Sequence, residues 1–418
     1  VSAAASTIES EVRTYSRSWP VVFVSGRGSR LHDDRGRAYL DFFTGASALN
    51  YGHNHPVLKR ALLDYLEGDG VTHSLDMFTS ARSAFLAELD ARVLRPRHLD
   101  YRVQFPGPTG TNSVEAALKL ARKVTGRQTV VAFTGAFHGM SLGALAVTGN
   151  AGKRGGAGVP LGATWRLPYD GFAGGDVCGL TLLRTMLDDS SSGMDLPAAV
   201  IVETVQGEGG VNPARFTWLA DLADLCRSRG ILLIVDDIQM GCGRTGPFFS
   251  FEGAGVVPDI VCLSKSISGY GLPMALTLFR SELDVWQPGE HNGTFRGHNP
   301  AFVTGRAALE EFWADDMLEK QTRVRELLMR EHLGALAREH ARHVVDVRGR
   351  GLVWGVGFAD PRLARAVADE AFARGLLVET AGSRDEVVKL LPALTTTDDE
   401  LAEGLDVLRA AMLAAVRA

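Results

Sequence analysis

Between about residues 100 and 280, short apolar runs alternate with stretches of helical periodicity. Runs at 101–105 and 129–133 read as strands flanking a helical pattern at 111–124. In the stretch 217–229, Leu219, Leu222, Leu225 and Cys226 fall on one side of a helix, and the runs at 198–202 and 231–235 that bracket it are almost wholly apolar. Strands without polar alternation need cover on both faces, which implies a largely parallel sheet between helical layers. Runs at 259–263 and 274–279 predict two further strands.

After Pro300 the pattern changes to long helical stretches, extended chain at 344–358, a helix at 362–374, and strands at 376–379 and 387–391. A capping-box spelling at Thr397 and Glu400 precedes Leu401, Leu405, Leu408 and Met412 at helical spacing, which predicts a packed last helix. The first fifty residues predict a hairpin around Asp34-Arg35-Gly36 that packs with this later unit. The glycine-rich stretch Gly149–Asp176 reads as one long irregular loop covering a site or an interface. The expected architecture is α/β: a large, mostly parallel-sheet domain over 53–300, and a smaller α+β domain built from 1–52 and 301–418.

Composition narrows the partners. Apolar residues make up 45% and charged residues 22%, an ordinary soluble globular balance. The 44 Lys plus Arg against 49 Asp plus Glu leave a net charge of −5, which gives no basic footprint for nucleic acid or anionic lipid and points to small metabolites. No apolar stretch approaches the ~20 residues of a membrane-spanning helix, and the first twenty residues lack a signal-peptide profile, so a cytoplasmic location is expected. The four cysteines are widely spaced with no C-x-x-C pair, as expected of buried reduced thiols rather than of a disulfide framework or zinc site. His53 and His55 lack a third ligand at suitable spacing, so no metal is expected.

Three segments could carry chemistry. Gly241-Cys242-Gly243-Arg244-Thr245-Gly246 spells G-x-G-x-x-G after an apolar strand, but Pro247-Phe248-Phe249 follows where a dinucleotide site would open a helix, so a sharply turning loop is expected. Pro106-Gly107-Pro108-Thr109-Gly110-Thr111-Asn112 lies between a strand and a helix, where exposed amides form an anion cradle; an N-capped helix with no ligand would read the same. Asp236 and Asp237 end an otherwise apolar strand, and a buried carboxylate needs a cation nearby. Lys265 ends the next apolar strand, so a structural Asp236–Lys265 ion pair is one reading and a ligand between them is the other.

The cradle, the buried acid and the strand-end lysine occur in the order and spacing of the class III aminotransferases, enzymes of pyridoxal 5′-phosphate (PLP) fold type I. Glu203-Thr204-Val205-Gln206-Gly207-Glu208-Gly209-Gly210 resembles that class's E-P-x-Q-G-E-G-G, the segment Asp236–Gly246 resembles D-E-x-Q-x-G-x-G-R-T-G, and Phe137-His138-Gly139 resembles its aromatic-His-Gly. Tyr15-Ser16-Arg17, Asn50-Tyr51-Gly52-His53-Asn54-His55-Pro56 and Gly269-Tyr270-Gly271-Leu272-Pro273 resemble the diaminobutyrate–2-oxoglutarate branch that serves ectoine synthesis.

The resemblance implies that Lys265 carries PLP and moves the substrate proton, with Asp236 facing the ring nitrogen as the second catalytic group. It also implies that Gln239 bonds the ring oxygen, that Phe137 stacks on the ring beside His138, and that Gly110 and Thr111 hold the phosphate. Thr294 would reach the phosphate of a neighbouring subunit, which implies a homodimer or dimer of dimers; read alone, Thr294 is a loop threonine. Glu208 matches a glutamate that pairs with an arginine in relatives using two substrates, but the class's R-x-x-P-P reads Lys389-Leu390-Leu391-Pro392-Ala393 here. Another arginine of some relatives is replaced by Met140. Lys389 is therefore the first candidate for the substrate carboxylate, with Arg296 and Arg244 behind it. Trp19 and Tyr15 either line the substrate entrance or staple the terminus to the core. The implied reaction moves the amino group of L-glutamate to L-aspartate 4-semialdehyde. The rivals are an ornithine- or 4-aminobutyrate-type aminotransferase, a PLP aminomutase, decarboxylase or epimerase, and a non-catalytic PLP-binding protein.

Overall fold

The structure, a computed structural model, describes residues 8–175 and 178–417. Residues 1–7 of the expected 1–52 unit, Asp176 at the end of the expected loop and Ala418 of the expected 301–418 unit lie outside the described residues. In chain order the strands are β1 (Phe23–Arg27), β2 (Arg30–Asp33), β3 (Ala38–Asp41), β4 (Tyr101–Gln104), β5 (Val130–Phe133), β6 (Thr164–Leu167), β7 (Ala199–Val202), β8 (Val205–Gln206) and β9 (Asn212–Pro213). They continue as β10 (Leu232–Asp236), β11 (Ile260–Leu263), β12 (Leu276–Arg280), β13 (Val344–Arg350), β14 (Val353–Phe358), β15 (Leu376–Leu377), β16 (Glu379–Ala381) and β17 (Val387–Leu390).

The central sheet has seven strands in the order β4-β12-β11-β10-β7-β5-β6. Its neighbours from β11 through β6 are parallel, while β12 runs antiparallel to both β11 and β4. Successive strand residues point to opposite faces, and each face has its own apolar layer. Ile201, Ile234 and Ile260 pack with Val114, Leu118 and Ala121 of the helix Gly110–Thr125. Val200, Leu233, Val235 and Val261 pack on the other side with Leu219 and Leu222 of the helix Phe216–Arg229. The unbroken apolar runs in the sequence are the result of this two-sided cover.

The Gly149–Asp176 expectation is corrected. That stretch contains a short helix at Ala151–Gly155 and the strand β6, which pairs in parallel with β5 as the edge of the central sheet. An edge strand is buried less than a central one, so Thr164, Trp165 and Arg166 do not form an apolar run that sequence periodicity can pick out.

The two chain ends meet in smaller sheets. The predicted hairpin is β2–β3, antiparallel, and β3 pairs in parallel with β15 from the far end of the chain. A second four-stranded sheet, β13-β14-β17-β16, is antiparallel throughout and packs against the helices Met317–Glu339 and Pro361–Ala373, while the last helix, Asp398–Arg417, packs on Pro361–Ala373; Val367 and Ala371, and Leu401, Leu405 and Leu408, enter the core. Tyr15 stacks on Trp19 and tilts against Phe43, so these aromatic residues staple the first described helical turn to the body of the protein.

Candidate active site

Asp236 closes β10 in register with Cys262 of β11, and Lys265 follows β11 by two residues, so both side chains emerge at the carboxyl edge of the parallel strands. Open α/β sheets bind their ligands at that edge. Lys265 has φ of 50°, in the left-handed region that a side chain adopts at a cost of ~1–3 kcal/mol. The flanking backbone enforces it: Ser266 Oγ donates to Ser47 O at 2.6 Å and accepts from Asn50 N at 3.1 Å, while Ser264 Oγ donates to Met274 O at 2.8 Å.

The structural Asp236–Lys265 ion pair, the bland alternative to a ligand between the two residues, does not form. Asp236 Oδ2 instead meets His138 Nδ1 at 2.7 Å, and Glu208 and Glu379 are engaged by Lys389. Burial lowers the pKa of Lys265, opposed chiefly by the charge of Glu208. An amine held toward its neutral form at a cavity wall is a nucleophile and a proton carrier in waiting.

Burial alone would lower the pKa of His138, but its hydrogen bond to Asp236 and the charges of Asp236 and Glu203 raise it. The imidazole therefore supplies part of the positive charge that a core carboxylate requires. Its Nε2 is buried without a hydrogen-bond partner among the described residues. Glu203, which accepts from Phe137 N at 3.0 Å, has its pKa pushed up to about 7 by burial, so this third acid of the site is half neutral near pH 7.

Lys265, Asp236, His138 and Glu203 wall a cavity of about 180 Å³, together with Phe137 and Glu208. Gly110 and Thr111, at the start of the helix Gly110–Thr125, also line it, as does Gln239. Asn112 N is taken up by Thr109, and the amides of Gly110 and Thr111 have no intrahelical acceptor. A Cβ on Gly110 would stand 3.0 Å from two carbons of Ile238, so the close approach requires glycine. Thr111 Oγ1 lies 2.5 Å from Ser141 Oγ, which in turn donates to Glu115 Oε1 at 2.5 Å; this fixes the threonine rotamer at the cavity.

Behind Glu208 lies a charged chain. Lys389 is fully buried, with Nζ 2.6 Å from Glu208 Oε1 and 3.0 Å from Glu379 Oε1. Glu379 Oε2 accepts from Tyr15 OH at 3.1 Å, and Glu208 Oε1 also accepts from Gln239 Nε2 at 3.2 Å. Burial pushes Glu208 toward neutrality, but Lys389 and Lys265 overcome it and hold the carboxyl at about 2. Gly207 makes room for this arrangement, since a Cβ there would fall 1.7 Å from Gln239 Oε1.

The other predicted residues lie elsewhere. Thr294 is exposed, its carbonyl oxygen 2.7 Å from His73 Nε2, and it does not line this chain's cavity. Arg244 is wholly buried and spends its guanidinium on Ser47, Leu352, Pro392 and Asn50, which pins the turning loop after β10. Arg296 is tied to His291, Asn292 and Asp76, and Met140 is 54% exposed. His53 bonds Asp41 at 2.7 Å, and His55 sits edge-on to Phe312. Three cysteines are buried; Cys178 is exposed, correcting the expectation for it, because it stands outside the core just before the helix Gly179–Asp188. Glu379, the cross-strand neighbour of Lys389, and Tyr15, which donates to Glu379, were missed as members of this chain: the strand pairing that brings Glu379 to Lys389 is not visible in the sequence, and Tyr15 reads as a structural aromatic.

Comparison with known proteins identifies the family and the fold. The family described as aminotransferase class III matches residues 13–412. A diaminobutyrate–2-oxoglutarate transaminase of Streptomyces coelicolor is 62% identical over 407 residues, covering 97% of this chain and 96% of the relative. The transaminase of the same name from Halalkalibacterium halodurans is 53% identical over 409 residues, covering 98% of this chain and 96% of the relative. Among solved structures, the ornithine aminotransferase of Toxoplasma gondii superposes with a TM-score of 0.85 at 26% identity, covering 99% of this chain and 94% of that one. A second structure of that enzyme, at 27% identity and a TM-score of 0.84 over the same shares of the two chains, has PLP at partial occupancy in its active site. With sequence and fold matched over nearly its whole length, the chain belongs to the class III aminotransferases.

Proposed function

We propose that this aminotransferase takes the amino group of L-glutamate and delivers it to the terminal carbon of L-aspartate 4-semialdehyde, giving 2-oxoglutarate and L-2,4-diaminobutyrate. The observation that carries the chemistry is the Lys265 amine, half-buried, with a lowered pKa and no acid partner among the described residues, in the cavity that Asp236 and His138 also wall. The names and the near-complete coverage of the relatives support the substrate pair.

The residues present fit PLP. An unpaired amine suits its aldehyde, helix amides without an intrahelical acceptor suit its phosphate, and an acid backed by an imidazole suits a protonated ring nitrogen. When bound, the cofactor supplies an electron sink for the pair released at the substrate carbon. Lys265 would hold the cofactor through Nζ, and the same nitrogen, when free, would take the proton from the donor carbon and return one to the acceptor carbon. Asp236 keeps a proton on the ring nitrogen, and His138 keeps Asp236 oriented and charged. Gly110 and Thr111 receive the phosphate, Phe137 and His138 bound the ring, and Gln239 reaches the ring oxygen. Glu208 forms part of the substrate-facing wall, and the buried Lys389 holds it there from behind.

We also assign 1–52 and 301–418 to one small domain and 53–300 to the cofactor domain. A homodimer or dimer of dimers is part of the same reading, with Thr294 serving the neighbouring site. Its support is that exposed Thr294 and Phe295 adjoin the segment bearing the exposed Leu75, Met77 and Phe78, through the pairing of His73 with His298; a group of large apolar side chains on a surface marks a contact. A cytoplasmic setting and supply to ectoine synthesis follow the resemblance noted in the sequence.

A half-reaction screen on purified holoenzyme tests the function. Glutamate alone should discharge the cofactor's absorbance band with stoichiometric 2-oxoglutarate, and aspartate 4-semialdehyde should then restore it with diaminobutyrate formed. No half-reaction with any amino donor would refute the transaminase and favour an aminomutase or decarboxylase. Turnover with ornithine or 4-aminobutyrate but not with diaminobutyrate would reassign the substrates.

A further inference from the structure

A second cavity, of about 650 Å³, adjoins the first and shares Phe137 and Glu208 with it. Besides Gly135, Ala136 and Gly209, its other walls come from the segment 149–153, which the sequence reads as irregular loop, and from the stretch 380–385. Every carboxylic substrate of the proposed reaction needs a cation here, and the cations at hand differ sharply in availability. Lys389 is fully buried between two carboxylates, Arg244 is buried in structural bonds, and Lys265 is reserved for the cofactor. Lys153 is exposed, lines the second cavity, and has no acid partner among the described residues. Its Nζ stands 5.2 Å from the centre of the Phe137 ring, so the ring aims the ammonium toward the shared boundary of the two cavities. The turn carrying it is fixed by the Asn150 cap, whose Oδ1 accepts from Lys153 N at 3.0 Å.

We propose that Lys153 is the cation that receives the distal carboxylate of the substrate in both half-reactions; this rests on the substrate pair proposed above. The chemistry of the two amino acids makes one cation sufficient. In glutamate the side-chain carboxylate is separated from the reacting α-amine by the same number of bonds as the α-carboxylate of diaminobutyrate is from its reacting terminal amine. With the reacting nitrogen placed at Lys265, both carboxylates reach the same distance into the second cavity. A lysine suits this duty, because a point charge on a flexible stem accepts either carboxylate without demanding one orientation. Neither Lys389 nor an arginine switch is then required for the distal carboxylate.

Steady-state kinetics of Lys153→Met and Lys153→Arg test the assignment with L-glutamate, L-2,4-diaminobutyrate and 1,3-diaminopropane, the last keeping both amines but lacking the carboxylate. Losing a charged hydrogen-bond partner should raise KM for both amino acids by at least about tenfold in Lys153→Met. KM for 1,3-diaminopropane, kcat at saturation and cofactor absorbance should stay unchanged, and Lys153→Arg should restore most of the affinity. Unchanged KM for glutamate overturns the inference, as does an equal loss with 1,3-diaminopropane, which would mark a structural role. A parent enzyme that uses glutamate but not diaminobutyrate refutes the substrate reading alone, and the glutamate comparison then decides Lys153.

Discussion

Lys389 Nζ lies 2.6 Å from Glu208 and 3.0 Å from Glu379, so one fully buried ammonium serves two carboxylates. Removing it leaves two acids facing each other in the core. Lys389→Met should therefore cost ~3–5 kcal/mol of stability, read as a lower urea midpoint. Lys389→Met with Glu379→Gln should recover part of that loss. A single variant as stable as the parent would contradict the ion-pair geometry.

Lys265→Ala removes the unpaired amine. We expect a folded protein with no covalent cofactor and activity lower by at least ~100–10,000-fold, the range for a positioned proton-transfer group. Borohydride treatment followed by peptide mass analysis checks the linkage in the parent. A reduced adduct on any other lysine would overturn the assignment.

Asp236→Asn keeps the shape of the side chain but withdraws the charge that His138 Nδ1 meets at 2.7 Å. The variant should fold and still retain cofactor, yet its half-reaction with glutamate should slow by at least ~100-fold. Its His138 pKa should also fall, because the hydrogen bond and charge that raise it are lost. Stopped-flow rates equal to those of the parent would remove Asp236 from the mechanism.

Burial pushes Asp237 up to about 7, with Ser250 N donating to its Oδ2 at 3.1 Å. A carboxyl with a raised folded pKa contributes stability that is full below its unfolded pKa and is lost as pH rises through the folded value. Urea midpoints should accordingly decline as pH rises from the ordinary carboxylate range through about 7, to which Glu203 adds in the same direction. Asp237→Asn should flatten part of that decline; a profile identical to the parent's would assign the decline to other groups.

Much of the site was legible because its chemistry interrupts simple patterns. Acids closing an apolar strand and a lysine closing the next cannot be explained by packing, and the structure sets Asp236 and Lys265 at the same sheet edge. Local periodicity failed where tertiary context decides. The strand β6 is too polar to be seen without its neighbour β5, and the reversal of β12 leaves no mark in an apolar run. The Asp236–Lys265 ion pair was reasonable by charge, but His138, ninety-eight positions upstream of Asp236, takes the carboxylate instead. Glu379 is only ten residues from Lys389, but its contact appears only when β16 pairs with β17 and sets the two side by side, and Tyr15, which donates to Glu379, comes from the far end of the chain.

The pairing of β3 with β15 places a demand on synthesis. Leu40 and Asp41 leave the ribosome more than three hundred residues before Leu376 and Leu377, which complete their ladder. Until then the nascent chain carries an unfinished sheet edge, a template for pairing with another polypeptide. Chaperone cover, or quick burial of that edge by neighbouring nascent segments, is therefore expected during translation. Ribosome-bound chains arrested before residue 376 should be cut by protease near β3, where released full-length protein resists.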